Sequence, residues 1–206
     1  MVAGRPRRVD DSVILRGAAD VIGRVGPAGL TLAAVAGEVG LVAGTLVQRF
    51  GSKHGLLVAL ARQAVQDADV RYERIRHEHG SALAALVALA VESMASMATP
   101  ESFANHLALL CVDLTDPQLH EHALGVHQAQ GRAIQMLLAE AVSAGELRAG
   151  TDTAALTGSV QAIIIGVGLT WALDRRGTLP QRLRQEINAL VSSHVPSRDG
   201  LSLEES

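Results

Sequence analysis

The chain has 206 residues, 48% of them hydrophobic, enough to bury the core of one large domain or of a small domain fused to a larger one. Aromatics make up only 2%, so that core must be built from Leu, Val, Ile, Ala and Met, a composition that suits helices and disfavours strands. The lone Cys111 excludes an internal disulfide framework, and the net charge of −3 hides an asymmetry: the first 55 residues carry +3 and the remainder −6.

The basic opening MVAGRPRR has no apolar run behind it, so no secretory signal is expected and the lone thiol fits a reducing, cytoplasmic setting. Asp10 or Asp11 can cap a first helix in which Ile14, Ala18, Ile22 and Val25 recur at helical spacing. Gly26-Pro27-Ala28-Gly29 ends it. Thr31 is a good cap for a short helix over 32–39, with Val35, Ala36 and Val39 facing inward. Gly40 closes that helix in the left-handed conformation, Leu41 and Val42 form the turn, and a third helix runs over 43–50 with Leu46 and Phe50 inward. Ser52 then caps a long helix reaching about residue 76.

Further helices are expected over 82–97, 101–114, 118–144, 153–173 and 179–194, and residues 196–206 read as a disordered tail. The reading is therefore all-α, with about nine helices, no strand-like alternation and no repeat. A helix, a tight Gly turn and a helix, with an earlier helix packed behind, form a helix-turn-helix inside a three-helix head.

The segment 31–57, TLAAVAGEVGLVAGTLVQRFGSKHGLL, resembles the DNA-binding signature of TetR-family repressors. It has the Thr-capped second helix, the Gly turn, the Gly-Thr-Leu recognition helix, then Phe, Ser-Lys and paired leucines. The match covers about a quarter of the chain, and the rest of the chain is similar in length and helix order to the family's larger ligand-binding and dimerisation domain. The resemblance implies a DNA-binding head over 1–55 and a helical ligand-binding and dimerisation domain over 56–195. It also implies a homodimeric repressor released from a double-stranded DNA operator by a small-molecule effector.

Chemistry supports a groove-reading third helix. Ala43 and Gly44 leave its start nearly bare, so it can approach closely; Thr45 and Gln48 are the candidate readers, Gln for adenine and the Thr methyl for a thymine methyl. Arg49 can reach guanine or phosphate, with phosphate favoured; Lys53, the only lysine, can hold a phosphate together with free helix N–H groups, and Thr31 can do likewise. Two positions depart from the family pattern. Val42 stands where Ser or Thr is usual and Val47 where Tyr is usual, which predicts weaker or more salt-sensitive binding. Arg5, Arg7 and Arg8 are open to two readings, an arm on phosphates or in the minor groove, and a plain basic tail.

Other features favour bland readings. The pairs His77/His79 and His120/His122 are spaced by two, which points them to different helix faces, so no metal site and no cofactor are expected. Cys111 is expected as buried filler. No enzyme motif is present, so no catalysis is expected. Met94, Met97, Phe103, His106, Leu107, Leu110, His127 and Met136 are candidates to line a ligand pocket, with ordinary core as the alternative. An aromatic-poor interior favours an apolar or amphipathic effector. The row Gly158, Ala162, Gly166, Thr170 puts small residues on one helix face, which suits a partner subunit, with a tight intrachain contact as the alternative. The apolar run over 162–173 is shorter than the ~20 residues a membrane span needs, so no membrane partner is expected. A second functional reading is a helical protein-interaction module with weak or lost DNA binding, kept open by Val42 and Val47.

Overall fold

The computed structural model describes residues 9–196, so the arginines at 5, 7 and 8 and the tail beyond 196 lie outside the described residues. Among the described residues there are nine helices and no strand: α1 (Asp11–Gly29), α2 (Leu32–Glu38), α3 (Ala43–Phe50), α4 (Lys53–Glu78), α5 (Ala82–Ser93), α6 (Pro100–Thr115), α7 (Pro117–Ser143), α8 (Thr153–Asp174) and α9 (Leu179–Ser192). They fall into two compact units, one comprising the chain up to Asp67 with Ser96–Val126, the other Ala68–Ala95 with the chain from His127.

In the first unit, Ile14, Ala18 and Ile22 of α1, Val35 and Ala36 of α2, Leu46 of α3 and Leu56 of α4 close one core, which Leu119 of α7 joins. Val25 does not belong to it. It is 52% exposed, because the backbone leaves helical geometry at Gly26 (φ 70°) and the inward positions of α1 are Leu15 and Val21 instead. Asp10 sits at the N-cap without a side-chain bond, whereas the Thr31 hydroxyl accepts from the Ala34 amide at 3.0 Å as a true cap. After α2 the chain turns in a Schellman arrangement: Gly40 takes φ 68°, and the Leu41 amide donates to the Ala36 carbonyl at 2.8 Å. That turn fixes the angle at which α3 leaves. α6 starts with a reciprocal capping box between Thr99 and Ser102 and packs on α1.

In the second unit, Leu183, Ile187 and Val191 of α9 and Val160, Ile164, Val167 and Trp171 of α8 are buried at helical spacing. The Glu146 carboxylate accepts from Ser81 Oγ at 2.6 Å and from the Ala82 and Leu83 amides at 2.9 and 3.1 Å, so it satisfies orphan donors at the start of α5. α8 has 22 residues, longer than its apolar run, and by length and composition alone it reaches what a membrane span needs. Its buried face packs against α9, as a core helix does.

Candidate nucleic-acid interface

α3 is held from one side and open on the other. Leu46 is fully buried and Phe50 packs against the same core, while Val42 is 71% and Val47 50% exposed, and Ala43, Gly44 and Gln48 are exposed with them. Thr45, one turn from Gln48, is half-buried. No side chain caps α3 at Val42; the Thr45 amide donates to the Val42 carbonyl at 3.0 Å, and the positive end of the helix dipole lies at the exposed Ala43 and Gly44. A Cβ built on Gly44 would meet no atom within 4 Å. Among the described residues nothing therefore requires glycine there, and the start of the helix is left bare.

The cations around this face are partly engaged. Arg49 Nη1 donates to the Val9 carbonyl at 2.6 Å and to Asp11 Oδ1 at 2.9 Å, so a phosphate would have to compete with the chain's own start for this guanidinium. Sequence spacing could not reveal that pair, because its partners lie about forty residues away. Lys53 Nζ donates to the Pro27 carbonyl at 2.5 Å, and Ser52 Oγ accepts from the Gly55 amide at 3.1 Å at the start of α4. Arg24 pairs with Glu38 on the surface. Thr31 is exposed beside the α2 start.

An apolar cavity of about 290 Å³ lies in the same compact unit. Leu57, Leu60, Ala61 and Ala64 form its α4 wall at i, i+3, i+4 and i+7, a stripe that helical spacing could have singled out. Met97, Leu109, Leu110 and Asp113, then Ala123 and Val126 of α7, complete it. Of the eight residues expected from sequence to line a pocket, Met97 and Leu110 are on this wall. Met94 and Phe103 are buried, His106 Nδ1 bonds its own helix at the Ser102 carbonyl, and Leu107 is half-buried. His127 is exposed, where Gln161 Nε2 bonds its backbone carbonyl at 3.0 Å, and Met136 is 48% exposed. Cys111, expected as buried filler, is exposed, because α6 turns its Phe103 and Leu110 edges inward and leaves that position outside. Among the described residues, no three His, Cys, Asp or Glu side chains gather into a metal-binding group.

On α8, Gly158 and Gly166 are exposed, as is Thr170, while Ala162 is exposed between them; Ile165, Leu169 and Leu173 flank the row at 49%, 45% and 76% exposure. A Cβ on Gly158 or Gly166 would meet nothing within 4 Å. Among the described residues no tight intrachain contact is made at these two glycines.

An exposed, groove-sized helix fixed behind a Gly turn, inside an all-helical chain, defines a helix-turn-helix DNA-binding regulator. Residues 14–60 match the family model of bacterial regulatory proteins, tetR family, and residues 103–187 match that of the tetracyclin repressor-like C-terminal domain. The chain belongs to the TetR family of transcriptional regulators. No curated relative matches its sequence. Solved structures share its fold. A protein from Saccharomonospora viridis described as a transcriptional regulator, in complex with choline, is 22% identical, with a TM-score of 0.73 over 91% of this chain and 98% of its own. SmeT, the repressor of the Stenotrophomonas maltophilia multidrug efflux pump SmeDEF, is 17% identical, with a TM-score of 0.66 over 94% and 93%. The regulator FadR of Bacillus subtilis, in complex with stearoyl-CoA, is 19% identical, with a TM-score of 0.63 over 89% and 98%.

Proposed function

We propose that this regulator is a cytoplasmic homodimeric repressor that sets α3 in the major groove and leaves its operator when a small molecule enters the helical body. Residues 1–55 are the DNA-binding domain in this reading, and 56–195 the ligand-binding and dimerisation domain. The observation that carries it is the open face of α3: Gly44 with empty space over it, Gln48 exposed, Thr45 beside them, all on a helix anchored by Leu46. Gln48 and Thr45 read base edges; Lys53, Thr31 and a freed Arg49 take phosphates. Val42 and Val47 present methyl groups where a polar contact would otherwise sit, and they suit thymine methyls better than phosphate.

Release needs a ligand that binds one head position better than the other. The cavity suits this role because α6 contributes Leu109, Leu110 and Asp113 to its wall and, one to two turns earlier, packs Asn105 on α1 of the head. The choline and stearoyl-CoA complexes of its fold relatives support a small-molecule effector as a class. Dimerisation through α8 is supported by its exposed small-residue row and flanking apolar side chains. The second reading, a protein-interaction module with weak DNA affinity, is favoured by one observation, the uncapped α3 start with Val42 exposed. Selection from a random duplex library at low salt separates the two: an enriched palindrome supports the repressor, and no enrichment supports the module.

A further inference from the structure

The cavity walled by α4, α6 and α7 is aliphatic except for one group. Asp113 lies on its wall, half-buried, and among the described residues its carboxylate has no hydrogen-bond or ion-pair partner. The charge that acts on it is also negative: Asp116, which is itself held by His54 Nε2 at 3.0 Å and by the Gln118 and Leu119 amides at 3.0 and 3.1 Å. Burial, with a smaller contribution from Asp116, pushes the Asp113 carboxyl up to about 6. Near neutral pH the group is still mostly ionised, so an unpaired negative charge sits against apolar carbon, a costly arrangement that a cation from outside would relieve.

We propose that this cavity takes a small aliphatic amine, its ammonium paired with Asp113 and its chain packed on Leu57, Leu60, Leu109 and Val126. The proposal rests on the reading of the cavity as an effector site and names the ligand class. Three features select that class. The carboxylate repels an anionic head and offers a neutral alcohol only a single weaker bond. Among the described residues no aromatic ring lines the cavity, so a quaternary ammonium finds no π-face, whereas an amine has N–H groups to donate. The volume of about 290 Å³ is at the small end for ligand pockets, which suits a medium-length chain rather than a long acyl group.

The test is calorimetric titration of the full chain at pH 7.5 with octylamine, octanol and octanoate, repeated on Asp113→Asn. Octylamine is expected to bind about tenfold or more tighter than octanol, with octanoate weakest, the scale of one charge-assisted bond. Asp113→Asn is expected to bring octylamine down to the octanol level and leave octanol unchanged. Octanoate binding as tightly as octylamine, or octylamine indifferent to Asp113→Asn, overturns the proposal, and the ligand ranking on the unmutated chain stands even if the variant fails to fold. Operator release is read separately by DNA anisotropy. Octylamine binding without release supports the amine site while it counts against the effector reading; no binding of any probe overturns the site and leaves DNA binding intact.

Discussion

Asn105 of α6 donates its side-chain amide to the Gly23 carbonyl of α1 at 2.9 Å, and the reason lies four residues further along α1. A helical carbonyl expects the N–H of residue i+4, and for Gly23 that residue is Pro27, which has none. Asn105 supplies the missing donor. The same side chain lies 2.9 Å from where a Cβ on Gly26 would stand, so the Gly26-Pro27 break and Asn105 are fitted to each other. Asn105→Leu is expected to lower stability by about 1 kcal/mol, the usual net worth of one hydrogen bond, seen as a lower urea midpoint at unchanged m. An unchanged midpoint would mean that the carbonyl finds water instead.

Asp113 predicts a pH dependence with a definite sign. Its native carboxyl sits at about 6 against an ordinary value of 3.8, so the folded protein takes up this proton first as pH falls, and ionised Asp113 costs stability above about pH 6. Asp113→Asn removes that cost. It is expected to stabilise the protein at pH 8, by about 1 kcal/mol once solvent screening of a half-exposed group is allowed for, and the gain should vanish by about pH 4. Thermal melts of both proteins across that range check it; a gain largest at low pH would contradict the assignment.

Gly44 separates folding from reading. Because nothing within 4 Å would touch a side chain there, Gly44→Leu is expected to keep or raise the melting temperature. It should weaken binding to a selected duplex by about tenfold, the scale of one spoiled base contact. Equal affinity would mean that α3 does not approach DNA through this face.

Gly158 and Gly166 make the same separation for α8. A double Gly158→Leu/Gly166→Leu variant meets no obstacle inside the chain, so its helix content is expected to persist while sedimentation moves from dimer to monomer. A variant that remains dimeric would place the interface elsewhere.

Local chemistry in the sequence went far in locating the head. Thr31, Gly40, Gly51 and Ser52 each impose a cap or a turn by their own side chain or lack of one, and α3 emerges over the residues those signals bracket, Ala43–Phe50. What could not be read depends on distance in sequence. Arg49 looks free for phosphate until Val9 and Asp11 are seen beside it. Val25 keeps helical spacing with Ile22 but falls outside the core because Gly26 breaks the helix one residue later. The cavity joins α4, α6 and α7, so no single segment advertises it, and the local signals it does leave, an apolar stripe on α4 and Asp113 amid Leu109-Leu110-Cys111-Val112 and Leu114, were not singled out from sequence.

The central claim is that α3 reads base edges while its flanks grip phosphate, and comparison of Gln48→Ala with Lys53→Ala on the selected operator and its single-base variants tests it most directly. Fluorescence anisotropy at fixed salt is expected to show Gln48→Ala losing preference at one base pair, about 1–3 kcal/mol of discrimination. Lys53→Ala is expected to weaken every duplex alike and to reduce the salt slope by about one. Uniform weakening from Gln48→Ala, with sequence preference intact at every position, would contradict the account.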